Sequence, residues 1–302
     1  MFYSAHAELM RSNFMVSPGV MPSLPGSYEI MSLLGTGGMG SVFKARQLST
    51  GRIVALKTLQ DSGSPNAVRR FQREAKMLAT LKHPNIVEAW TFGLTEDRQA
   101  YLTMEYLEGV SLAEVLKRDG PLPLERFLKL FSQVISGLKH AHQHGVIHRD
   151  LKPENIMLIT AANGAESVKL VDFGIARSEK LTSSPNKLTQ NGAILGTLNY
   201  MSPEQFKGGA LDACSDIYSL GCVMHEALIG TPPYQISAPV EAMVHSADTA
   251  EFVPNLVPHG VPAWLNRMIE ICLSREPKFR YQTTALLEAD FTAKLLSPTS
   301  EK

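Results

Sequence analysis

Two short polar turns, each fastened to an apolar strand, constrain this chain more than anything else in it. The first reads Val146-Ile-His148-Arg149-Asp150-Leu151-Lys152-Pro153-Glu154-Asn155 and leads into an apolar run from Ile156 to Ile159. The second, Val171-Asp172-Phe173-Gly174, closes another apolar run that starts at Val168. Asp150, Asn155 and Asp172 therefore stand where loops meet strands, and a sheet built from those strands would fix their relative positions. Just upstream, Leu124 to His144 carries Phe127, Leu130, Phe131, Val134, Leu138 and Ala141 at helical spacing, with Gly145 as a stop. The first turn is thus expected to follow a rigid buried helix. His140, His142 and His144 stand two apart near that helix end, so they do not share a helical face. Favourable interaction with the helix C-terminus, or plain exposure, is expected of them rather than metal binding.

The N-terminal part reads as strands around a glycine turn. Glu29 to Leu34 leads into Gly35-Thr36-Gly37-Gly38-Met39-Gly40, and Val42 and Phe43 continue as a strand to a turn at Ser49-Thr50-Gly51. The same Gly-x-Gly-x-x-Gly spacing marks dinucleotide-binding βαβ units, but there the third glycine opens a helix. Strand residues after Gly40 favour a hairpin whose backbone amides cover phosphates. Ile53-Val-Ala55-Leu-Lys57 is an apolar run ending in one cation. A helix is expected from about Asn66 to Leu81, with Val68, Phe71, Ala75 and Leu78 on one stripe. Glu74 falls inside that stripe and needs a buried partner, for which Lys57 is the candidate. His83-Pro84 ends this helix, and His83 is read as structural.

Two oxygen ligands and a candidate base are the side chains that metal-assisted phosphoryl transfer requires. The order His-Arg-Asp-Leu-x-x-x-Asn, then Asp-Phe-Gly, behind the glycine loop and a strand lysine, resembles the eukaryotic-type (Hanks-type) serine/threonine protein kinases. The wording Gly-Thr-Gly-Gly-Met-Gly, Gly-Thr-Leu-Asn-Tyr-Met-Ser-Pro-Glu-Gln and Asp-Ile-Tyr-Ser-Leu-Gly is most similar to the bacterial members, and the likeness covers roughly Tyr28 to Phe291. It implies an α+β, bilobal fold with an ATP cleft between a β-rich lobe over 28–104 and a mainly helical lobe over 110–295. The hinge would be 105–109, with a leader over 1–27 and a tail over 296–302.

The resemblance also assigns roles. Asp150 would be the base, Lys152 and Lys57 would act on the transferred and the α- and β-phosphates, and Asn155 and Asp172 would hold Mg²⁺, with Mn²⁺ as an alternative. Leu34, Gly35, Gly37, Gly40, Val42, Ala55, Lys57, Glu74, Met104 (as gatekeeper), Asn155, Asp172 and the backbone of Glu105 and Leu107 would line the ATP site. Lys152 resembles the serine/threonine rather than the tyrosine kinases. Arg149 implies control by a phosphate on the loop from Asp172 to Ser202-Pro203-Glu204, which stands for Ala-Pro-Glu. Thr182, Ser183, Ser184, Thr189 and Thr197 are the hydroxyl candidates there, Thr189 being the first choice and Thr197 being assigned to positioning Asp150 and Lys152. Asp216 would hold the backbone of the first turn, and Arg280 would pair with Glu204. The implied partners are proteins bearing Ser or Thr and a second copy of the chain for phosphorylation in trans. The rival readings are a nucleotide-binding scaffold without catalysis, a small-molecule phosphotransferase and a dinucleotide-dependent oxidoreductase.

Composition sets the remaining bounds. The 302 residues suffice for two lobes. Lys plus Arg equals Asp plus Glu at 29 each, which argues against a nucleic-acid or membrane surface as the main function. Cys214, Cys222 and Cys272 lack disulfide or zinc spacing, so a reducing, cytoplasmic setting is expected. No run approaches the ~18 to 20 apolar residues of a membrane-spanning helix, and the first 27 residues do not read as a secretory signal.

Overall fold

Alternation of apolar residues assembles the first sheet. In the computed structural model, which describes residues 27–37, 40–59, 65–95, 99–174, 198–234 and 254–296, it contains β1 (Tyr28–Gly37), β2 (Gly40–Gln47), β3 (Ile53–Thr58), β4 (Ala89–Leu94) and β5 (Ala100–Glu105). The strands are antiparallel in the order β1-β2-β3-β5-β4. Gly37 pairs with Gly40, so the glycine turn closes a hairpin and its last glycine opens a strand. That leaves no place for the helix a dinucleotide-binding unit puts there. Along β3, Val54 and Leu56 join Phe43, Ala45 and Tyr101 in a small cluster on one face. Ala55 joins the main core on the other, and the two-residue period puts Lys57 on that same face. Helix α1 (Pro65–Thr80) buries Phe71, Ala75 and Leu78 in the main core, as the stripe predicts. The side chain of Glu74 lies outside the described residues, as do Gly38, Met39, Thr182, Ser183, Ser184, Thr189 and Thr197.

The second half is helical around a small sheet. β6 (Val110–Ser111), β7 (Ile156–Thr160) and β8 (Glu166–Leu170) pair antiparallel in that order. Ser111 also caps α2 (Leu112–Asp119): its hydroxyl accepts from the Glu114 amide while the Glu114 carboxylate accepts from the Ser111 amide at 2.7 Å. α3 (Leu124–Gln143) buries the whole expected stripe. The short α4 (Pro203–Phe206) is followed by α5 (Ala213–Ile229), which is buried on nearly every side, its polar Ser215, Asp216, Ser219 and His225 included. α6 (Ala263–Cys272) packs against α5, and α7 (Thr284–Leu296) packs against α3. The main core is continuous from Ala55 to Phe291, so the sheet and the helical region share one apolar interior. Among the described residues no helix is long and apolar enough to cross a membrane.

A buried arginine locks the helical region. Arg280 is 3% exposed, and all its N–H donors find acceptors. Nη1 and Nη2 grip the Glu204 carboxylate at 2.7 and 2.9 Å, Nε donates to the Ser274 carbonyl, and the carbonyls of Cys214 and Arg275 take the rest. Ser215 Oγ donates a further hydrogen bond to Glu204. Burial raises the Glu204 pKa, but these donors outweigh it and hold it below the ordinary carboxylate value. A lysine cannot reproduce a planar fork of donors. Arg280→Lys is expected to cost roughly 3–5 kcal/mol, as breaking a buried pair does, read as a lowered midpoint in urea unfolding.

Candidate active site

The first polar turn hangs from a buried carboxylate on α5. Asp216 is 1% exposed. Its Oδ2 accepts from the His148 amide at 2.6 Å and its Oδ1 from the Arg149 amide at 2.8 Å. His142 Nε2 donates to Oδ2 at 2.7 Å, and its Nδ1 meets Thr284 Oγ1 at 2.6 Å. Burial opposes the charge on Asp216, and the hydrogen bond and charge of His142 overcome that and keep its pKa lowered. The hold has a purpose in the backbone. Arg149 has φ 63°, a left-handed conformation that a side-chain-bearing residue adopts at a cost of about 1–3 kcal/mol, and two fixed amides keep it there. Gln205 of α4 donates Nε2–H to the Arg149 carbonyl at 3.0 Å, so the strained residue is held from both sides.

The second turn is pinned to the first. His148 is fully buried, donates Nε2–H to the Val171 carbonyl at 3.0 Å and lies against the Phe173 ring at 4.5 Å. Burial lowers its pKa. The Gly174 amide donates to the His148 carbonyl at 2.7 Å. A Cβ on Gly174 would come within 3.1 Å of that oxygen and 3.2 Å of Arg149 Cβ, so a larger residue there would require these neighbours to give way by a few tenths of an ångström. Between these anchors Asp172 takes φ 54°, and its Oδ1 receives Lys57 Nζ at 2.9 Å. Its side chain keeps 39% of its surface. Desolvation works against its charge, and the Lys57 ammonium more than offsets this, so its pKa lies below the ordinary range.

Asp150, Lys152 and Asn155 converge in one turn. Lys152 Nζ is 3.2 Å from Asp150 Oδ2. Asn155 is buried and donates Nδ2–H to the Asp150 carbonyl at 2.7 Å and toward Asp150 Oδ2 at 3.3 Å. Those donations fix the amide orientation and turn Oδ1 to the opposite side. Asn155 in turn accepts the Val171 amide on its own carbonyl at 3.0 Å, tying it to the residue before Asp172. Among the described residues no group of three His, Cys, Asp or Glu could hold a metal alone. An amide oxygen and a carboxylate suit a hard cation that keeps water or phosphate in its remaining positions.

The strand register brings the other expected residues onto one face. Gly35 pairs with Val42 and Val42 with Lys57; in the next row Lys44 pairs with Ala55 and Ala55 with Met104. Leu34 is exposed, Val42 half-buried, and Ala55 and Met104 buried. Gly37 and Gly40 form the hairpin end. Leu107 packs against the main core. Glu105 ends β5, and its carboxylate takes Lys169 Nζ of β8 at 2.5 Å and the Glu88 amide at 2.7 Å. The Tyr106 ring beside it lies 4.3 Å from Lys44 Nζ.

Two groups of contacts differ from the sequence reading or were absent from it. The histidines at the end of α3 are not simply exposed: His142 enters the Asp216 network, and His140 stacks between His83 and His144. Their two-residue spacing hides this, because His142 serves α5 and His140 serves the opposite partner. Gln205, Tyr200 and Glu226 also escaped attention, although Tyr200 OH donates to Glu226 at 2.5 Å. A Ser-x-x-Gln capping box at Ser202 was the available signal for Gln205. Asp216→Asn is expected to destabilise the protein by roughly 1–3 kcal/mol, since one buried donor loses its acceptor, and this is read by denaturant unfolding. The wild-type contribution is present above the ordinary carboxylate pKa and is lost as pH falls through the lowered folded value, so the gap between the two proteins narrows in acid.

The comparisons agree with this geometry. A family model described as protein kinase domain matches residues 28–292. Serine/threonine-protein kinase PknB of Mycobacterium tuberculosis is 40% identical over 272 residues, covering 88% of this chain and 42% of that protein. Serine/threonine-protein kinase pkn3 of Myxococcus xanthus is 39% identical over 270 residues, covering 88% and 49%. The chain thus spans less than half the length of these relatives. The crystal structure of the M. tuberculosis PknI kinase domain superposes with a TM-score of 0.68 at 24% identity, covering 91% of this chain and 99% of that one, which bears on the fold alone. With the family model matching almost from end to end, this chain belongs to the protein kinase family, and these relatives are bacterial serine/threonine-protein kinases.

Proposed function

We propose that this chain transfers the γ-phosphoryl group of ATP to serine or threonine hydroxyls of proteins. The observation that carries the reading is the meeting of Asp150, Lys152 and Asn155 in one turn beside the Lys57–Asp172 pair. Asp150 takes the proton as the substrate oxygen bonds to the γ-phosphorus and the bond to ADP breaks. Lys152, next to Asp150, stabilises charge on the transferred group, and Lys57 holds the α- and β-phosphates. A divalent cation, Mg²⁺ or alternatively Mn²⁺, held by Asn155 and Asp172 would neutralise phosphate charge. The face bearing Leu34, Gly35, Gly37, Gly40, Val42, Ala55 and Met104 receives the adenosine and phosphates, with the backbone of Glu105 and Leu107 reading the base and Glu74 supporting Lys57. In this reading 28–104 and 110–295 are the two lobes, joined at 105–109.

Lys152 and the printed names of the relatives favour serine or threonine over tyrosine. Control by phosphorylation of Thr189, in trans within a pair of copies, rests on Arg149. Three buried free cysteines suit a cytoplasmic setting. The test is incubation with labelled ATP, Mg²⁺ and a generic basic protein, followed by phosphosite mapping. Asp150→Asn is expected to lower kcat by about 10²- to 10⁴-fold. No transfer by the wild type, and no difference between it and Asp150→Asn, would leave a nucleotide-binding scaffold. Transfer to tyrosine alone would refute the substrate class. For control, Thr189→Ala is expected to lower activity, and full activity of that variant would remove Thr189 from the scheme.

A further inference from the structure

The turn between α1 and β4 is wedged between α3 and β8. The Leu170 amide donates to the Asn85 carbonyl and the Val87 amide to the Leu170 carbonyl, both at 2.9 Å, and Ile86 bridges to Leu170 in parallel. Asn85 Nδ2 donates to the Val168 carbonyl at 2.9 Å and to Gln133 of α3 at 3.1 Å. The approach is close: a Cβ on Gly137 of α3 would come within 3.0 Å of the Asn85 carbonyl oxygen. This turn therefore sets where β8 ends, and β8 ends two residues before Asp172.

One imidazole shapes the turn. His83 Nδ1 accepts the Asn85 amide at 3.2 Å, and Nε2 faces Ser136 Oγ at 3.4 Å. An accepting Nδ1 requires that this nitrogen carry no proton. The ring is the first of a column of three: His83 stacks on His140 with centroids 4.9 Å apart, and His140 lies 4.3 Å from His144. His140 Nε2 is shielded from solvent and has no hydrogen-bond partner among the described residues. Around the column stand Lys139 from α3, Lys169 from β8 and Glu288 from α7, and the last is already engaged by Lys139 at 2.5 Å. A proton on the column thus meets neighbouring imidazoles and two ammonium groups, with the one facing carboxylate already taken.

We propose that His83 is a titratable positioning residue: the neutral His83–His140 stack holds the 83–87 turn against β8, and its protonation releases the end of β8 and with it the placement of Asp172. The consequence for phosphotransfer rests on the function proposed above; the release of the turn does not. Burial first, and then the neighbouring positive groups, lower the pKa of His83 and His140. The unfolded chain therefore binds more protons in mild acid, and the column's stabilising contribution is full above the ordinary histidine pKa and lost as pH falls toward the folded values.

Hydrogen exchange of the Val87 and Leu170 amides, measured at pH 7.5 and 5.5 and corrected for the intrinsic rate, tests this. In the wild type their protection is expected to fall by about threefold to tenfold on acidification. His83→Phe keeps a ring stacked on His140 without a titrating nitrogen and is expected to lose little. His83→Asn keeps an acceptor near the position of Nδ1, cannot be protonated, and gives the same comparison should the first variant fail to fold. Equal losses in the wild type and a folded variant would overturn the proposal. Activity over the same interval is read in parallel: a wild type without phosphotransfer at any pH removes the proposed function but leaves the exchange result intact. Protection that follows the column while kcat and KM do not would remove the link to Asp172.

Discussion

Everything at this site is referred to one buried carboxylate. Asp216 sits on a helix with almost no exposed side, and it spends both oxygens on the amides of His148 and Arg149 and on His142. A charge in such a place is tolerated because three donors converge on it. What it secures is a backbone conformation that the sequence would not adopt alone, the left-handed Arg149. From that residue the order of the site unfolds: Asp150 follows directly, Asn155 closes the turn on the Asp150 carbonyl, and the Asn155 carbonyl takes the amide next to Asp172. The first polar turn is thus suspended from the most buried helix rather than supported by its own short strands.

The pairing of charge across the cleft follows the same logic at longer range. Lys57 comes from the middle of the first sheet and the partly exposed Asp172 from just past the end of the second, and the carboxylate gives the largely buried ammonium its partner. At the end of β5, Glu105 and Lys169 repeat the arrangement with opposite polarity, the carboxylate on the first sheet and the ammonium on the second. Two ion pairs of reversed sense thus connect the same two sheets near the cleft.

Much of this was legible in the sequence, for identifiable reasons. Periodicity located the hairpin at Gly37–Gly40, the stripe of α1 and the long stripe of α3, because each is a local pattern that a single face must satisfy. The bond from Asp216 to the turn and the Arg280–Glu204 pair were expected from the family likeness, and both are present. Spacing could not say that His142 and His140, two residues apart, would be claimed by different neighbours, since the sequence encodes faces and not which distant polar groups meet there. Nor could spacing join Lys169 to its partner Glu105, which lies 64 positions away.

Gln205 belongs at once to two structures that would ordinarily be described apart. Its side-chain oxygen caps α4 by accepting the Ser202 amide, and its side-chain nitrogen holds the carbonyl of Arg149, 56 residues earlier in the chain. Fraying of that one-turn helix therefore takes from the strained turn one of its supports, the other being Asp216. The two segments are thereby coupled through one side chain, without the backbone between them.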